Sequence, residues 1–264
     1  MLALSSIEKS IWRLVCFSII LFAIVNPSYA SIYVIPSDGN IVGEIEYTHP
    51  NASETLREVG LRYDIGLEEM ILANPNVDPT LFLSPQVRLR IPSQYRLPNV
   101  PRHGLVINLA EYRLYFFPEH DNIVMTYPIG IGRRGWSTPI GLTKIVAKEA
   151  HPTWHPSKKL IDEGKKHGVM IPSSFPPGPH NPLGDFVLRL GWPTYLIHGS
   201  NQMNGIGEKV SAGCIRMLPD DIEYLFKQVS IDTPVRVINE PVNHPALKQL
   251  SVRKNDISHE QLKW

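Results

Sequence analysis

Two side chains, His198 and Cys214, have the types and the setting for nucleophilic chemistry. His198 closes the apolar run Leu196-Ile197 and enters a loop through Gly199-Ser200, which puts its imidazole at an exposed rim. Cys214 follows Ser211-Ala212-Gly213 and lies just ahead of a helix start at Pro219. A thiol with its ordinary pKa of about 8.5 needs a neighbouring imidazole or helix dipole to become a thiolate at neutral pH. A His on one loop and a Cys on the next supply that pair. Gly213 allows a substrate carbonyl to approach the backbone, whose N–H groups form an oxyanion hole. Arg216 either binds a carboxylate or anchors the loop. On residue type alone the thiol has three readings: a buried small hydrophobe, an intermolecular partner, or a nucleophile.

The N-terminus bears on that choice. Lys9 and Arg13 precede an apolar run over residues 14–25, Asn26-Pro27 breaks it, and Ser28-Tyr29-Ala30 offers small residues for cleavage. Residues 1–30 therefore read as a cleaved export signal, the alternative being an uncleaved anchor. Of the two cysteines in the chain, cleavage removes Cys16 and leaves Cys214 alone. Exported proteins ordinarily pair their cysteines, and a lone one forms no internal bridge. That setting favours a reactive role for Cys214.

The elements that must position this pair are short. The 264 residues are 43% hydrophobic and 19% charged, enough for a sizeable core, and the net charge of +1 gives no support to nucleic-acid binding. The 24 prolines favour turns and short strands over long helices. Residues 31–95 form a small α+β unit. Leu56, Val59 and Tyr63 share a helical stripe with Ser53 as the expected cap, Leu67, Met70 and Ile71 repeat the spacing, and residues 87–91 alternate as a strand. A linker at 96–101 leads to a strand-rich unit over residues 102–240. Its strands are expected at 105–109, 113–117, 123–127, 144–147, 186–190, 195–198 and 235–238, in a β-sandwich or barrel. One helix is expected after Pro219, with Ile222, Leu225, Phe226 and Val229 on a face. Residues 241–264, with His244 and His259, read as a polar surface tail.

Three other motifs are set aside. Gly130-Ile131-Gly132-Arg133-Arg134-Gly135 has the letters of a dinucleotide fingerprint, but Pro139 and Gly141 argue against the helix whose N-terminus must face a pyrophosphate. His151 and His155 have metal-ligand spacing only on a helix, which Pro152 and Pro156 oppose, so no metal is expected. The aromatic run Tyr112 to Phe117 reads as core, not as a stacking platform for nucleic acid.

Two resemblances sharpen this reading. Thr55-Leu56, residues 63–71, Ala73-Asn74-Pro75 and residues 89–92 resemble a LysM module, a repeat that grips N-acetylglucosamine polymers; Ser84-Pro85-Gln86 replaces the usual Pro-Gly. His198-Gly199-Ser200 followed by Ser211, Gly213-Cys214-Ile215-Arg216, with residues 127–141 and 176–184, resembles the L,D-transpeptidase catalytic (YkuD) family. That resemblance implies a mainly β catalytic domain and cysteine acyl transfer with no metal or cofactor. It implies Cys214 as nucleophile, His198 as general base and acid, and the Gly199 carbonyl as holder of the tautomer. The amides of Gly213 and Cys214 would meet the oxyanion. Ser211 would brace the loop, with Arg216 and Ser200 toward substrate. Many members carry a second His where this chain has Ala212. The implied substrate is the tetrapeptide stem of peptidoglycan in the periplasm, attacked with release of D-Ala. The acceptor is a second stem, giving a 3→3 crosslink, or a lysine of an outer-membrane lipoprotein; water would make the protein a carboxypeptidase or hydrolase. An inactive wall-binding protein is the remaining alternative.

Overall fold

The computed structural model describes residues 31–241. The export signal and all but the first residue of the tail, including His244 and His259, lie outside the described residues. The small unit contains β1 (Ser31–Val34), β2 (Ile41–Gly43), β3 (Glu46–Thr48), α1 (Leu56–Arg62), α2 (Leu67–Ala73), β4 (Leu89–Ile91) and β5 (Gln94–Arg96). Next come β6 (Gly104–Asn108), β7 (Arg113–Phe117), β8 (Ile123–Pro128), β9 (Ile131–Gly132), β10 (Gly141–Ala150) and α3 (Lys158–Lys166). The chain continues through β11 (Phe186–Leu190), β12 (Leu196–His198), β13 (Lys209–Ser211), β14 (Ile215–Arg216), α4 (Pro219–Gln228) and β15 (Pro234–Ile238).

The protein is mainly β, and its principal sheet curls into a half-barrel, which is the barrel-like form of the fold expected from the sequence. Nine strands form one sheet in the order β1-β8-β7-β6-β15-β10-β11-β12-β14, and the other six described strands pair as β13-β9, β2-β5 and β3-β4. The curl comes from β10. Gly141 to Lys144 pair with β15, Ile145 to Ala150 pair with β11, and the register shifts between Ile145 and Ala147. One long strand with a bulge carries the sheet around a bend, increasing its twist, so the two halves curl without separating.

The two halves of the curled sheet share an inner core that α4 helps to fill, and the small unit covers the other face of β6 and β7. Along β6 and β7, Leu105, Ile107, Leu114 and Phe116 join a core with Ile222 and Leu225 of α4. The alternate residues Val106, Tyr115 and Phe117 join a second core with Leu56 and Val59 of α1, Met70 of α2 and Leu89 of β4. The period of two thus serves two cores, and β6 and β7 are buried along their full length. Each fully buried Leu or Phe contributes roughly 1.5–3 kcal/mol. The small unit and the large sheet therefore share a core, and β1 extends the sheet by pairing antiparallel with β8.

Within the small unit β3 pairs antiparallel with β4 and encloses the two helices between them in sequence. Thr55 caps α1, not Ser53. Its hydroxyl accepts from the Glu58 N–H while the Glu58 carboxylate accepts from the Thr55 N–H at 2.7 Å, a reciprocal capping box. Ser53 occupies the turn before it at φ +64°. Asn74 ends α2 and ties it to β4, its side-chain carbonyl accepting from Arg90 N–H at 2.8 Å and its amide donating to Met70 O at 3.0 Å.

Candidate active site

His198 and Cys214 come together because β12 and β14 are adjacent and parallel. The register pairs Ile197 with Ile215 and His198 with Arg216. Both isoleucines are fully buried and anchor the pair in the core. Successive side chains on a strand alternate faces, so Leu196, His198, Cys214 and Arg216 share the opposite face. Cys214 packs there against Leu196, and His198 is its diagonal neighbour across the ladder.

The imidazole is held by its own chain neighbour. His198 Nδ1 lies 2.6 Å from the Gly199 carbonyl oxygen. A carbonyl only accepts, so Nδ1 carries the proton and Nε2 presents a lone pair. Burial, reinforced by the Arg216 cation, pushes the His198 pKa down to about 4, against the opposing effect of the Gly199 hydrogen bond. Burial likewise pushes the Cys214 thiol up, while the Leu196 backbone N–H and Arg216 favour its thiolate. At neutral pH the resting site is thus a thiol beside a neutral imidazole.

The Cys214 loop is built from Ser211 and Gly213. Ser211 Oγ accepts from the Gly213 N–H at 3.1 Å and donates to the Cys214 carbonyl at 2.5 Å. Gly213 takes φ +103°, and a Cβ there would meet the Tyr195 ring at 3.0 Å, so both the conformation and the close approach require glycine. Thr138 Oγ1 donates to the Gly213 carbonyl at 2.9 Å from the turn after β9. The Gly213 N–H, expected from the sequence to face a substrate oxygen, is therefore committed to Ser211. Among the two expected oxyanion donors, that leaves the Cys214 N–H.

The thiol points back to the hairpin between β11 and β12, donating to the Thr194 carbonyl at 3.6 Å. Thr194 sits at φ +70°, a conformation rare for a β-branched residue. Nothing in its side-chain type signals this contact, since a carbonyl does the work. Thr138 lies in a stretch that carried the family resemblance, yet its hydrogen bond to Gly213 joins segments far apart in the chain.

Arg216 Nη1 donates to Asn204 O at 3.3 Å, and its buried Nε has no partner. Ser200 is buried and accepts from Gln202 N at 3.0 Å, shaping the loop after His198. It borders a cleft of about 470 Å³ with Gly184, Asn201 and Met203. A second cleft of about 710 Å³ is lined by Gly132, Arg133, Arg134, Thr138 and Lys209. The segment Gly130 to Gly135 holds β9 and a turn closed by Trp136 N–H donating to Arg133 O at 2.9 Å. Across that turn lies α3, which the sequence reading missed. Its Glu163 accepts from Arg133 at 2.8 Å and from Trp136 Nε1 at 2.9 Å. His151 is paired with Asp185 at 3.4 Å, and no cluster of three or more His, Cys, Asp or Glu fit to hold a metal occurs among the described residues.

The family model described as the L,D-transpeptidase catalytic domain, YkuD, matches residues 102–237. The protein named Probable L,D-transpeptidase YcfS, from Escherichia coli strain K12, is 40% identical over 226 residues, covering 83% of this chain and 70% of that one. Probable L,D-transpeptidase YbiS of the same strain is 42% identical over 228 residues, covering 84% of this chain and 74% of that one. Among solved structures, the Enterococcus faecium L,D-transpeptidase C442S mutant aligns at 18% identity with a TM-score of 0.42, covering 58% of this chain and 55% of that one.

Proposed function

Because this chain belongs to the L,D-transpeptidase family with the YkuD catalytic domain, we propose that Cys214 is its acyl-carrying nucleophile and peptidoglycan tetrapeptide stems its donor substrate. The observation that carries this reading is His198, diagonal to Cys214, with Nδ1 bonded to the Gly199 carbonyl and Nε2 free. Nε2 takes the thiol proton as Sγ attacks the carbonyl of the third stem residue, a diaminopimelate. The Cys214 N–H holds the oxyanion, and Ser211 keeps that amide in place through its two hydrogen bonds. Collapse breaks the C–N bond, and the imidazolium returns the proton to the departing amine of D-Ala. An acceptor amine then attacks the thioester, loses a proton to His198 and restores the thiol.

Arg216 Nε, buried without a partner, is the donor we assign to a stem carboxylate. Ser200 lines the neighbouring cleft and contacts the same substrate. The larger cleft, with Arg133, Arg134 and Lys209, suits the remaining carboxylates of an acidic stem. The acceptor is a second stem, giving a 3→3 crosslink, or a lysine of an outer-membrane lipoprotein, both met in the periplasm after removal of residues 1–30. The small unit, with its β3-α1-α2-β4 order and antiparallel β3–β4 pairing, is assigned LysM-like glycan binding.

The test incubates residues 31–264 with a disaccharide-tetrapeptide and follows intact-protein and product masses beside Cys214→Ala. Expected are a mass gain equal to the donor lacking D-Ala, and a crosslinked dimer, both absent from the variant. A folded protein with a free thiol that forms no adduct and releases no D-Ala would sink the proposal. Sedimentation with insoluble peptidoglycan tests the small unit's role, with retention expected in the Cys214→Ala protein as well.

A further inference from the structure

We propose that the small unit is a working part of the active site, in which Arg57, Gly66 and Leu67 act as positioning residues for Cys214 through the loop at residues 204–208. The loop separates His198 from Cys214 in sequence, and the small unit grips it at three places. Arg57 of α1 meets Glu208 at 2.6 Å. Leu67 N–H, at the start of α2, donates to Ile206 O at 3.4 Å. Gly66 and Gly207 pack backbone to backbone: a Cβ on Gly66 would come within 2.7 Å of Gly207 Cα, and one on Gly207 within 2.4 Å of Leu67 N. Two facing glycines permit an approach that any side chain would prevent.

The other side of this loop touches the residues that flank the thiol. Asn204 O accepts from Arg216 Nη1 at 3.3 Å, and a Cβ on Gly205 would lie 3.2 Å from the same nitrogen. Glu208 Oε2, the atom that meets Arg57, also accepts from Gly205 N–H at 3.2 Å, so the ion pair and the turn are one unit. Gly207 N–H donates to Ile129 O, and Glu208 O accepts from Ile131 N–H, each at 3.0 Å. The chain then runs directly into β13, whose last residue is Ser211. Displacement at Arg57 is therefore passed to Arg216 on one side of Cys214 and to Ser211 on the other. The strength of the link lies in its continuity: every step is a hydrogen bond, an ion pair or a backbone contact.

This inference rests on Cys214 being the reactive thiol, but its test does not require a stem peptide. The rate of Cys214 alkylation by iodoacetamide is followed against pH in residues 31–264, with Arg57→Glu, Glu208→Arg, the exchanged pair, and Gly66→Ala. The charged and titratable side chains set around the thiol are Arg216 on β14, His198 on β12 and Tyr195 ahead of β12. Freed from its anchor, the Arg216 cation withdraws, so Arg57→Glu moves the alkylation profile to higher pH. Donor acylation slows by about ten-fold, mainly in kcat, as expected for a small misplacement of reacting groups. The exchanged pair, which restores opposite charges, returns both readouts toward wild type. Urea midpoints close to wild type in the single variants exclude simple loss of folding, and Gly66→Ala displaces the loop without a change of charge. Unaltered alkylation in both folded Arg57→Glu and folded Gly66→Ala would overturn the proposal. So would a slowed rate that the exchanged pair fails to restore. Normal alkylation shifts without any donor acylation would instead count against the stem-peptide reading.

Discussion

His198 and Arg216 are register partners on the parallel strands β12 and β14, so a guanidinium stands beside the imidazole proposed as base. The cation lowers the imidazole pKa and favours the thiolate of Cys214, while burial acts on both groups toward their neutral forms. One side chain thus tunes both members of the pair in the direction that keeps Nε2 unprotonated and the sulfur ionisable. Replacing Arg216 with Gln is expected to raise the His198 pKa from about 4 and to raise the thiol pKa further. Imidazole proton chemical shifts and the pH dependence of alkylation measure the two effects. Arg216→Lys retains charge but not the fork geometry, so it keeps part of the pKa effect while losing substrate affinity. An imidazole that titrates identically in Arg216→Gln would show that burial alone sets its value.

Ser211 has no place in the proton transfer, yet its hydroxyl joins the Gly213 N–H to the Cys214 carbonyl. Removing it leaves a buried N–H unsatisfied and frees a loop whose Gly213 holds φ +103°. An unsatisfied buried group costs about 1–3 kcal/mol. If that cost falls on the transition state, Ser211→Ala lowers kcat by roughly ten-fold to a hundred-fold with little change in KM. Ser211→Thr keeps the hydroxyl and is expected to recover most of the rate. Steady-state kinetics with a tetrapeptide donor distinguish this from a substrate contact, which would raise KM instead.

The legible parts of this molecule are those whose signal is local. His198 ends an apolar run, Cys214 follows a flexible Gly, and α4 carries Pro219 at its start with an apolar stripe behind it. The two helices of the small unit are likewise announced by their spacing. What the sequence concealed depends on contacts between distant segments. α3 has an apolar face of only Leu160, Ile161 and the buried Gly164 among charged residues, too short to stand out, and is held by the Ser157 cap and by Glu163 bonding across to Arg133 and Trp136. The strands β9, β13 and β14 are two or three residues long and exist through their partners. The Thr194 carbonyl and the Gly66–Gly207 contact belong to backbone, which side-chain types do not reveal.

Arg113 is a further residue whose role depends on distant segments, and it leads to a stability prediction. β7 is covered on both faces and Arg113 is fully buried. It bonds Glu69 of α2 at 2.6 and 3.1 Å, donates to Asp64 O at 3.0 Å and lies 4.2 Å from the centroid of the Tyr95 ring. Glu69 also accepts from the Gly66 N–H at 3.1 Å, so the ion pair fastens the helical unit to the sheet. Breaking one side of a buried pair leaves an uncompensated charge and costs about 3–5 kcal/mol. Arg113→Met alone is expected to lower stability by that amount, and Arg113→Met with Glu69→Leu by less than the sum of the singles. Urea denaturation of the four proteins closes the cycle; additive losses would mean that the pair has no coupling.

His198 also links acid sensitivity to the active site. Its folded pKa of about 4 lies below the ordinary 6.5, so the folded protein resists a proton that the unfolded chain accepts. Its share of stability is present above pH 6.5 and is lost as pH falls toward 4, an effect of roughly 3 kcal/mol at 1.36 kcal/mol per unit. Glu111 acts in the opposite sense. Burial raises it from 4.5 to about 7, so its share is present below pH 4.5 and is lost as pH rises through 7. Buried Asp221, also pushed up, adds to that side. The two tendencies partly offset one another in the wild type, and a single profile conceals both. The difference between wild type and His198→Asn isolates the imidazole. It is expected to move in favour of the wild type by about 3 kcal/mol as pH rises from 4 to 7, whatever its absolute value at either end. Urea midpoints across that range give the difference directly, and one that stays constant with pH would mean that the folded and unfolded chains protonate His198 alike.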